Sequence, residues 1–569
     1  MHDLVIRNGK VADGSGRPVR RADVAIEGER IVGVAEGVGR GREEIDAAGA
    51  LVTPGWVDIH THYDGQVTWD PYLTPSGWNG VTTAVMGNCG VGFAPVRPGR
   101  EDYLIQLMEG VEDIPGSALA EGIAWGWESF PEYLDALEKM PRALDVGTQV
   151  PHGAVRAYVM GERGAHNDEA TPQDIAAMAE VVFEGLEAGA LGFSTSRTVL
   201  HRAKDGELVP GTSASTDELL GIGAALARAG HGVVEVASDM FPEERELGWM
   251  RDLSRQTGRT VTFGLLQNDI EPTKWRRLLE ATEELAAQGC DIRPQIAARP
   301  AGMLFGLESS LHPFVVHRGY RAIAEKPLAE RLAAMRTPEV RRSILGDPPA
   351  KLPPILLSMA ANFERMYPLG DPPDYEPGPE KSIAAIARKS GRTNEEVAYD
   401  QLLEEDGRAL IYRPFLGYSD GNFDVLRELM VHPRTVFGLS DGGAHCGLIC
   451  DASVPTFLLT HWARDRVRGE RIPVEFLVHA QTRRTAELFG LHDRGLLAPG
   501  MLADLNVIDE DRLRIHRPRM ARDLPAGGRR LLQDVEGYRT TVKRGVPTYC
   551  DGEPTGRLPG RLIRGPQTT

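Results

Sequence analysis

The segment Val57-Asp58-Ile59-His60-Thr61-His62-Tyr63 is the part of the chain from which a fold is most directly predicted. The apolar residues in and before it predict a short, largely buried strand. His60 and His62 are two positions apart, so on a strand both imidazoles project from the same face. Such a pair is suited to hold a metal, because each ring offers a neutral nitrogen to a borderline-soft cation. The alternative is one buried and one surface histidine, and the rest of the chain has to decide.

Composition limits the class of protein. The chain has 569 residues, which suggests two to four domains, and its 41% hydrophobic and 25% charged residues are typical of soluble globular proteins. The net charge of -17 argues against nucleic acid or an anionic membrane as a partner. The first residues lack a basic, then apolar, secretory signal. Five cysteines are an odd, sparse set that fits a reducing compartment. We expect a cytoplasmic protein.

The two ends of the chain share a β-rich pattern. Residues 3–50 contain short apolar runs separated by glycine and aspartate turns, and the segments 505–508 and 538–542 are also β-rich. Neither end is long enough to form a good core alone. We therefore predict one small β-sandwich domain built from residues 1–52 and 496–569, with residues 53–495 inserted as a second domain.

The middle of the chain alternates between strand and helix patterns. With the strand before His60, strand-like segments occur at eight positions, the others being 81–86, 146–150, 190–195, 232–236, 261–266, 292–296 and 435–440. Helical patterns join them, as at Thr171-Pro172-Gln173-Asp174, which is typical of a capped helix start. The alternation predicts an α/β fold of the TIM-like (β/α)8 barrel type, with its site at the carboxyl ends of the strands.

One long segment, residues 302–407, interrupts this alternation. It contains a short helical pattern at Leu328–Met335 and proline-dense stretches such as Asp347–Leu356. An insert of this length on a strand-to-helix loop is expected to lie over the barrel mouth as a lid. An oligomerisation surface is the alternative, and the sequence leaves homo-oligomerisation open.

Chemically reactive residues follow several of the predicted strands. Besides His60 and His62, these are Cys89 in Asn-Cys-Gly, His152 in Pro-His-Gly and Asp441 in Ser-Asp-Gly-Gly-Ala-His. Cys89 can place a thiolate on a metal, although a cysteine among glycines can also be a small packed residue. Asp441 can bind a metal and take a proton from an attacking water, although Ser-Asp-Gly also fits an ordinary turn.

These motifs resemble the amidohydrolase superfamily, and more closely its D-aminoacylase branch of N-acyl-D-amino-acid deacylases. The resemblance covers essentially the whole chain, from Leu-Val-Ile-Arg-Asn-Gly-Lys-Val through Gly-Asn-Cys-Gly-Val-Gly-Phe-Ala-Pro to Leu-Ala-Pro-Gly-Met-Leu-Ala-Asp. It implies a (β/α)8 barrel with a small terminal β domain, and zinc-assisted hydrolysis of an amide. By motif match, His60 and His62 resemble the strand-one ligands, Cys89 the thiolate ligand, and Asp441 the ligand and general base.

The chain departs from the family pattern at two strands. Family members usually carry one ligand histidine at the end of the fifth strand and another at the end of the sixth. The corresponding segments 233–239 and 261–267 contain no histidine, and His231 precedes the fifth strand. His60, His62, Asp441 and Cys89 are enough for one zinc with an open water position. We predict one zinc ion per chain.

The residues that contact the substrate are less constrained by sequence. An N-acyl amino acid carries a carboxylate, for which Arg197 and Arg299, each after a predicted strand, are natural partners, unless they are solvated surface arginines. Tyr63, next to the metal motif, is a further candidate for substrate contact. His152 is placed to polarise the scissile carbonyl, or else to make a structural hydrogen bond. The role of His445 stays open.

The sequence thus predicts a hydrolase that releases a carboxylic acid and a free amino acid from a small N-acyl amino acid. A related alternative is an amidohydrolase acting on the ε-acyl group of lysine, a small peptide or a cyclic amide. An alternative of another class is a barrel without catalytic activity that works as an assembly scaffold. The four candidate ligands together favour the enzyme.

Overall fold

The computed structural model describes residues 1–346 and 359–568, so the predicted proline-dense stretch Asp347–Leu356 lies outside the described residues. Its strands, in chain order, are β1 (His2–Val11), β2 (Arg20–Glu27), β3 (Arg30–Ala35), β4 (Gly41–Asp46), β5 (Leu51–Pro54), β6 (Trp56–Asp58), β7 (Val81–Met86), β8 (Asp145–Thr148), β9 (Val150–Pro151), β10 (Gly192–Arg197), β11 (Val233–Ser238), β12 (Val261–Gly264), β13 (Ile292–Ile296), β14 (Ala301–Phe305), β15 (Tyr367–Leu369), β16 (Leu410–Leu416), β17 (Val436–Phe437), β18 (Leu505–Ile508), β19 (Arg514–Ile515), β20 (Arg519–Ala521), β21 (Arg530–Leu532), β22 (Val535–Glu536), β23 (Tyr538–Lys543), β24 (Val546–Cys550) and β25 (Glu553–Pro554).

The α-helices lie mainly between the strands of the middle region and in the insert. They span Glu101–Glu112, Gly116–Gly122, Phe130–Glu138, His152–Met160, Glu162–Ala165, Pro172–Glu187, Thr216–Ala229, Glu243–Thr257, Lys274–Ala287, Arg318–Arg321, Leu328–Met335, Pro338–Leu345, Ile383–Ser390, Asn394–Gly407, Asp424–Val431, Val454–Phe457, Val474–His479 and Thr485–Leu488.

The middle of the chain forms two parallel sheets. One has the order β6-β7-β8, and the other has the order β9-β10-β11-β12-β13-β17. Only Gln149 separates β8 from β9, and a parallel bridge between Thr61 and Gly442 joins the segments that follow β6 and β17. All six residues of β7 are buried, as expected of strands covered on both faces. The carboxyl ends of these strands therefore carry their following loops to one edge.

Most of the predicted elements agree with the structure to within a few residues. The helix Pro172–Glu187 begins with the expected cap, in which the Thr171 hydroxyl accepts from the backbone of Asp174 and the Asp174 carboxylate accepts from that of Thr171. The last strand is shorter than predicted, because hydrogen-bonded pairing covers only Val436–Phe437. A π-helical segment, Ala480–Arg484, lies between the helices Val474–His479 and Thr485–Leu488.

The two ends of the chain meet in one nine-stranded sheet. Its order is β25-β24-β23-β18-β5-β1-β2-β3, with β4 paired to β1, and β5 lies antiparallel to β18. A buried ion cluster fastens this sheet to the parallel strands. The Asp145 carboxylate of β8 lies 2.8 Å from Lys543 Nζ, 2.9 Å from an Arg494 nitrogen and 2.8 Å from an Arg544 nitrogen. This carboxylate is therefore shared by three cations.

The insert has a hydrophobic cluster of its own. Strands β14, β16 and β15 form an antiparallel sheet, and the helices of residues 318–407 pack on it around buried residues such as Phe305, Tyr399 and Ile411. The insert contacts the loop after β17, because Leu304 N–H donates to Leu448 O at 2.7 Å. It thus lies beside the loop that carries Asp441, and its role as lid or interface stays a prediction.

Within residues 1–346 and 359–568, no helix is both long enough and apolar enough to cross a membrane.

Candidate metal centre

The four side chains predicted to bind a metal come together at the carboxyl ends of the parallel strands. His60 and His62 follow β6, Cys89 follows β7 and Asp441 follows β17. His60 Nε2 lies 3.4 Å from Cys89 Sγ and 3.5 Å from Asp441 Oδ1, and His62 Nε2 lies 3.9 Å from the same Oδ1. The ligand atoms of His60, His62 and Cys89 all lie within 4.8 Å of one another.

These separations are the size that one tetrahedral ion requires. Zinc bonds of about 2.0–2.3 Å place neighbouring ligand atoms about 3.3–3.7 Å apart. The distances from His60 Nε2 to Cys89 Sγ and to Asp441 Oδ1 lie within this range, and the 3.9 Å from His62 Nε2 to Asp441 Oδ1 exceeds it by a few tenths of an ångström. The donor set of two imidazoles, a thiol and a carboxyl is also of the kind that zinc prefers. The site therefore fits a metal ion.

Two of these residues have an unusual backbone conformation. Cys89 has φ 56° and Asp441 has φ 50°, in the left-handed region that costs a residue with a Cβ about 1–2 kcal/mol. Hydrogen bonds hold both in place. Cys89 N–H donates to Glu235 Oε2 at 2.8 Å, and Asp441 N–H donates to His60 O at 3.2 Å. The surrounding structure therefore fixes where the thiol and the carboxyl point.

Polar groups lie beside the far ring nitrogens of the two histidines. Gln295 Oε1 lies 3.1 Å from His60 Nδ1, and Glu235 Oε1 lies 3.9 Å from it. Glu112 Oε1 lies 3.3 Å from His62 Nδ1. The Gln295 oxygen on His60 Nδ1 favours the tautomer whose Nε2 lone pair is free for a metal, and it also fixes the orientation of that ring. His62 Nδ1 and Glu112 Oε1 make no hydrogen bond with any described residue. Both Nε2 atoms face Asp441.

The electrostatics of the centre favour a bound cation. Burial lowers the pKa of His60 to about 4, so its ring is neutral and able to bind a metal at pH 7. Burial raises the pKa of Asp441 and of Glu235 to about 8, and it raises the pKa of the Cys89 thiol well above its usual range. A metal ion would displace protons from these groups and supply the missing positive charge.

Four residues at the centre were not predicted from the sequence or were left open. Glu112 and Glu235 contact the ligand histidines as described, and His445 Nε2 lies 3.6 Å from Glu112 Oε2. Burial and the nearby charge of His60 lower the pKa of His201 to about 4, and Ser196 Oγ lies 3.0 Å from its Nδ1. Glu235 carried a usable signal, because a carboxylate within an apolar strand is rarely fully buried unless it is paired. His201 lies in a loop and Glu112 at a helix end, both without a motif, whereas His445 ends the Ser-Asp-Gly-Gly-Ala-His motif.

His152 and Tyr63 do not present free polar groups to this centre. His152 is fully buried, with its ring nitrogens 2.9 Å from Thr195 Oγ1 and 2.9 Å from Glu218 Oε1. The Tyr63 side chain is also buried, and its hydroxyl lies 2.6 Å from Ser76 Oγ. In this arrangement His152 therefore has no free ring nitrogen with which to make the expected contact to a substrate carbonyl. Both side chains are engaged in hydrogen bonds within the chain.

The two predicted substrate arginines are engaged within the chain. Arg197 forms a bidentate pair with Glu246, with two nitrogen–oxygen distances of 2.8 Å. Arg299 is 1% exposed, lies 2.6 Å from Asp451 Oδ1 and packs over the ring of Tyr375. A substrate carboxylate would have to displace these internal carboxylates. Both arginines lie at or just after the end of a strand, as predicted. The sequence does not reveal their ion pairs with Glu246 and Asp451.

Comparisons with known proteins agree with this architecture. The amidohydrolase family model matches residues 43–549. D-aminoacylase from Alcaligenes xylosoxydans xylosoxydans is 27% identical over 564 residues, which cover 99% of this chain and 97% of that protein. Two solved structures, each 23% identical and matched over 99% of this chain and 100% of the other, share the fold. One is a D-aminoacylase studied for its binuclear metal centre, with a TM-score of 0.66. The other is N-acyl-D-glutamate deacylase from Bordetella bronchiseptica with zinc and a phosphonate inhibitor, with a TM-score of 0.64.

The family resemblance predicted from the motifs is thereby confirmed, and the α/β fold is of the amidohydrolase type. The chain belongs to the amidohydrolase family, within its D-aminoacylase branch.

Proposed function

We propose that this chain hydrolyses the amide bond of a small N-acyl amino acid to a carboxylic acid and a free amino acid, with one zinc at the centre of His60, His62, Cys89 and Asp441. The observation that carries the proposal is the convergence of these four side chains, at separations that fit one ion. The names of the relatives support the substrate class, since D-aminoacylase and N-acyl-D-glutamate deacylase both act on N-acyl amino acids by name.

Asp441 is the general base in this proposal. A metal at the centre would polarise the acyl carbonyl and lower the pKa of the attacking water. Asp441 takes the proton from that water and passes it to the leaving nitrogen. Its side chain is 20% exposed, whereas those of His60 and His62 are 2% and 1% exposed. Among these three, Asp441 is therefore the group that water and substrate can reach.

The surrounding groups favour the protonated form of this carboxyl group. Burial, together with the nearby carboxylates Asp451 and Asp58, raises the pKa of Asp441 to about 8. A protonated Asp441 cannot accept a proton, so the base needs a neighbouring cation to lower its pKa at neutral pH. Gln295 and Glu235 keep His60 oriented while the proton moves.

The fold that we propose for this activity is a closed barrel. The single residue between β8 and β9 and the bridge between Thr61 and Gly442 support closure of the two parallel sheets into one (β/α)8 barrel. We assign residues 53–495 to this catalytic unit and residues 1–52 with 496–569 to a β-sandwich-like unit. The direct pairing of β5 with β18 supports that division.

We also propose that the protein is located in the cytoplasm. All five cysteines are free thiols in the structure, and four of them are buried. Unpaired cysteines are typical of a reducing compartment.

Parallel assays test the activity. The purified chain, loaded with zinc, is supplied with N-acetyl-D-amino acids and with Nε-acetyl-L-lysine, and release of a free amine is measured. We expect turnover of the former. Turnover of the lysine derivative alone would indicate an amidohydrolase of another specificity. If no amide is turned over and no metal is bound, the chain would be a non-catalytic scaffold.

A further inference from the structure

We propose that a cavity at the amino-terminal ends of β12, β13 and β17 binds the phosphate group of a small anionic metabolite. The residues that would hold the phosphate are Arg293 and Arg484, which both line the cavity. The cavity has a volume of about 500 Å³ and lies at the end of these strands opposite the metal centre. None of the residues that line it belongs to the metal centre, so this site is independent of the proposed function.

The cavity is built from the starts of three strands and from the helical segments near residue 480. Thr260, Asp291 and Thr435 directly precede β12, β13 and β17. Arg484 ends the π-helical segment Ala480–Arg484. The volume of the cavity lies within the range of about 300–1,000 Å³ that is typical of pockets for small molecules. It therefore has room for a phosphate group together with the molecule that carries it.

Arg484 is a half-buried cation without a carboxylate partner. Its Nη2 donates to Pro433 O at 2.9 Å and to Thr435 O at 2.6 Å. In the described part of the chain, its Nε and Nη1 make no hydrogen bond and no carboxylate lies within 4 Å of it. Glu487, one turn further on, pairs with Arg483 at 2.5 Å instead. Because burial of an unpaired charge is costly, Arg484 favours an anionic ligand, and two of its nitrogens are free to bind one.

The second arginine shares its only carboxylate. Asp291 Oδ1 lies 2.7 Å from Arg293 Nε and 3.5 Å from Arg434 Nη2, and Asp291 Oδ2 accepts from the Thr260 hydroxyl at 2.6 Å. The Nη1 and Nη2 atoms of Arg293 make no hydrogen bond to any described residue. Burial, and after it the charge of Arg293, lower the pKa of both Arg434 and Arg484. The three guanidinium groups therefore lie close enough to repel one another, and Asp291 does not neutralise all of them.

A phosphate group has the chemistry that this cavity lacks. A phosphate monoester carries about −1.5 to −2 charge at pH 7 and has three strong acceptor oxygens, whereas a single carboxylate carries one charge. Guanidinium groups bind phosphate through pairs of parallel N–H bonds, and Arg293 and Arg484 both have free nitrogens for this. The chain as a whole has a net charge of -17, which repels anions in general. Binding of phosphate would therefore be specific to this group of arginines.

Calorimetric titration of the zinc-loaded, full-length chain tests the site with two probes, inorganic phosphate and glycerol 3-phosphate. We expect both to bind the wild type, with the monoester binding more tightly because it fills more of the cavity. Arg293→Gln and Arg484→Gln are each expected to weaken binding about tenfold or more, because each variant loses charge-assisted hydrogen bonds.

Arg259→Gln is the matched control. Arg259 lies two residues before β12, at the same end of the strands, and it donates to the backbone oxygens of Thr257 and Gly230. It does not line the cavity. We expect Arg259→Gln to bind both probes as the wild type does. Arg293→Gln keeps the test independent of stability, because the Arg293 side chain is 40% exposed, and the melting temperature of each variant is measured alongside.

The outcomes distinguish the site from its alternatives. No binding of either probe to the wild type at millimolar concentration would overturn the proposal. Equal binding by the wild type and both cavity variants would overturn it as well, because the anion would then lie elsewhere, as at the metal centre. So would an equal loss in Arg259→Gln, which would show only a general effect of positive charge. Inorganic phosphate that binds as tightly as glycerol 3-phosphate, and weakens in both cavity variants, would support the site with the free ion as its ligand.

Discussion

Glu235 offers the sharpest test of how the protein prepares its metal centre. Its carboxylate is 1% exposed, accepts the Cys89 backbone N–H at 2.8 Å and lies 3.9 Å from His60 Nδ1. The Glu235→Ala variant removes both contacts at once. Cys89 would keep its left-handed backbone conformation without the bond that supports it.

The size of the effect follows from these contacts. A buried N–H left without an acceptor costs about 1–3 kcal/mol. Loss of a group that orients metal ligands lowers metal affinity about 10- to 100-fold. At about 1.4 kcal/mol per factor of ten, the second range corresponds to about 1.4–2.8 kcal/mol and overlaps the first. We therefore expect Glu235→Ala to bind zinc about 10- to 100-fold more weakly than the wild type.

Competition with a chromogenic chelator measures this affinity. Glu235→Gln is the control, because its amide oxygen can still accept from Cys89 N–H, and we expect its affinity to stay within about threefold of the wild type. Equal affinity of Glu235→Ala and wild type would refute the positioning role. An equal loss in both variants would also refute it, since the carboxylate itself would then be a ligand.

The remaining predictions concern the base, a pH-dependent ion pair and His152. Asp441→Asn is expected to lower kcat by about 10²–10⁴-fold in a steady-state assay, with an unchanged melting temperature; retained activity would mean that Asp441 is not the base. Burial opposes ionisation of Glu376, but hydrogen bonds from His461 and Arg466 hold its pKa at about 2. Because this value lies below the unfolded pKa, its stabilisation is complete above about pH 4.5 and is lost as the pH falls toward 2. Urea unfolding should therefore show Glu376→Gln less stable than wild type by about 2–3 kcal/mol at pH 7 and by less at pH 4; a difference independent of pH would contradict this. His152→Ala is expected to lose about 2–4 kcal/mol of unfolding free energy with kcat changed less than about threefold; a 100-fold loss of kcat would return carbonyl polarisation to His152.

The sequence predicted those parts of the structure that depend on local pattern. Apolar runs such as Val81–Met86 became buried strands, and the cap at Thr171 starts its helix as expected. His60, His62 and Cys89 were predicted because parallel strands bring their carboxyl ends to one edge, so short motifs after different strands meet there. Predicting these three residues did not require knowledge of contacts between residues distant in sequence.

The side-chain contacts that the sequence did not predict depend on partners that are distant in sequence. Arg197 and Arg299 were suitable in charge and position, but Glu246 and Asp451 bind them in the folded chain. Glu112 lies far from every recognisable motif, and only the folded loop of residues 441–445 brings it next to the centre. Burial and pairing of this kind arise from tertiary packing, which strand and helix periodicity does not encode.

The central claim is that His60, His62, Cys89 and Asp441 hold one metal ion. Crystals of the zinc-loaded chain, measured on both sides of the zinc absorption edge, test this most directly. We predict an anomalous peak within about 2.0–2.3 Å of His60 Nε2, His62 Nε2, Cys89 Sγ and an Asp441 oxygen. The absence of a peak among these four side chains, or a peak bonded to neither Cys89 nor Asp441, would contradict the claim.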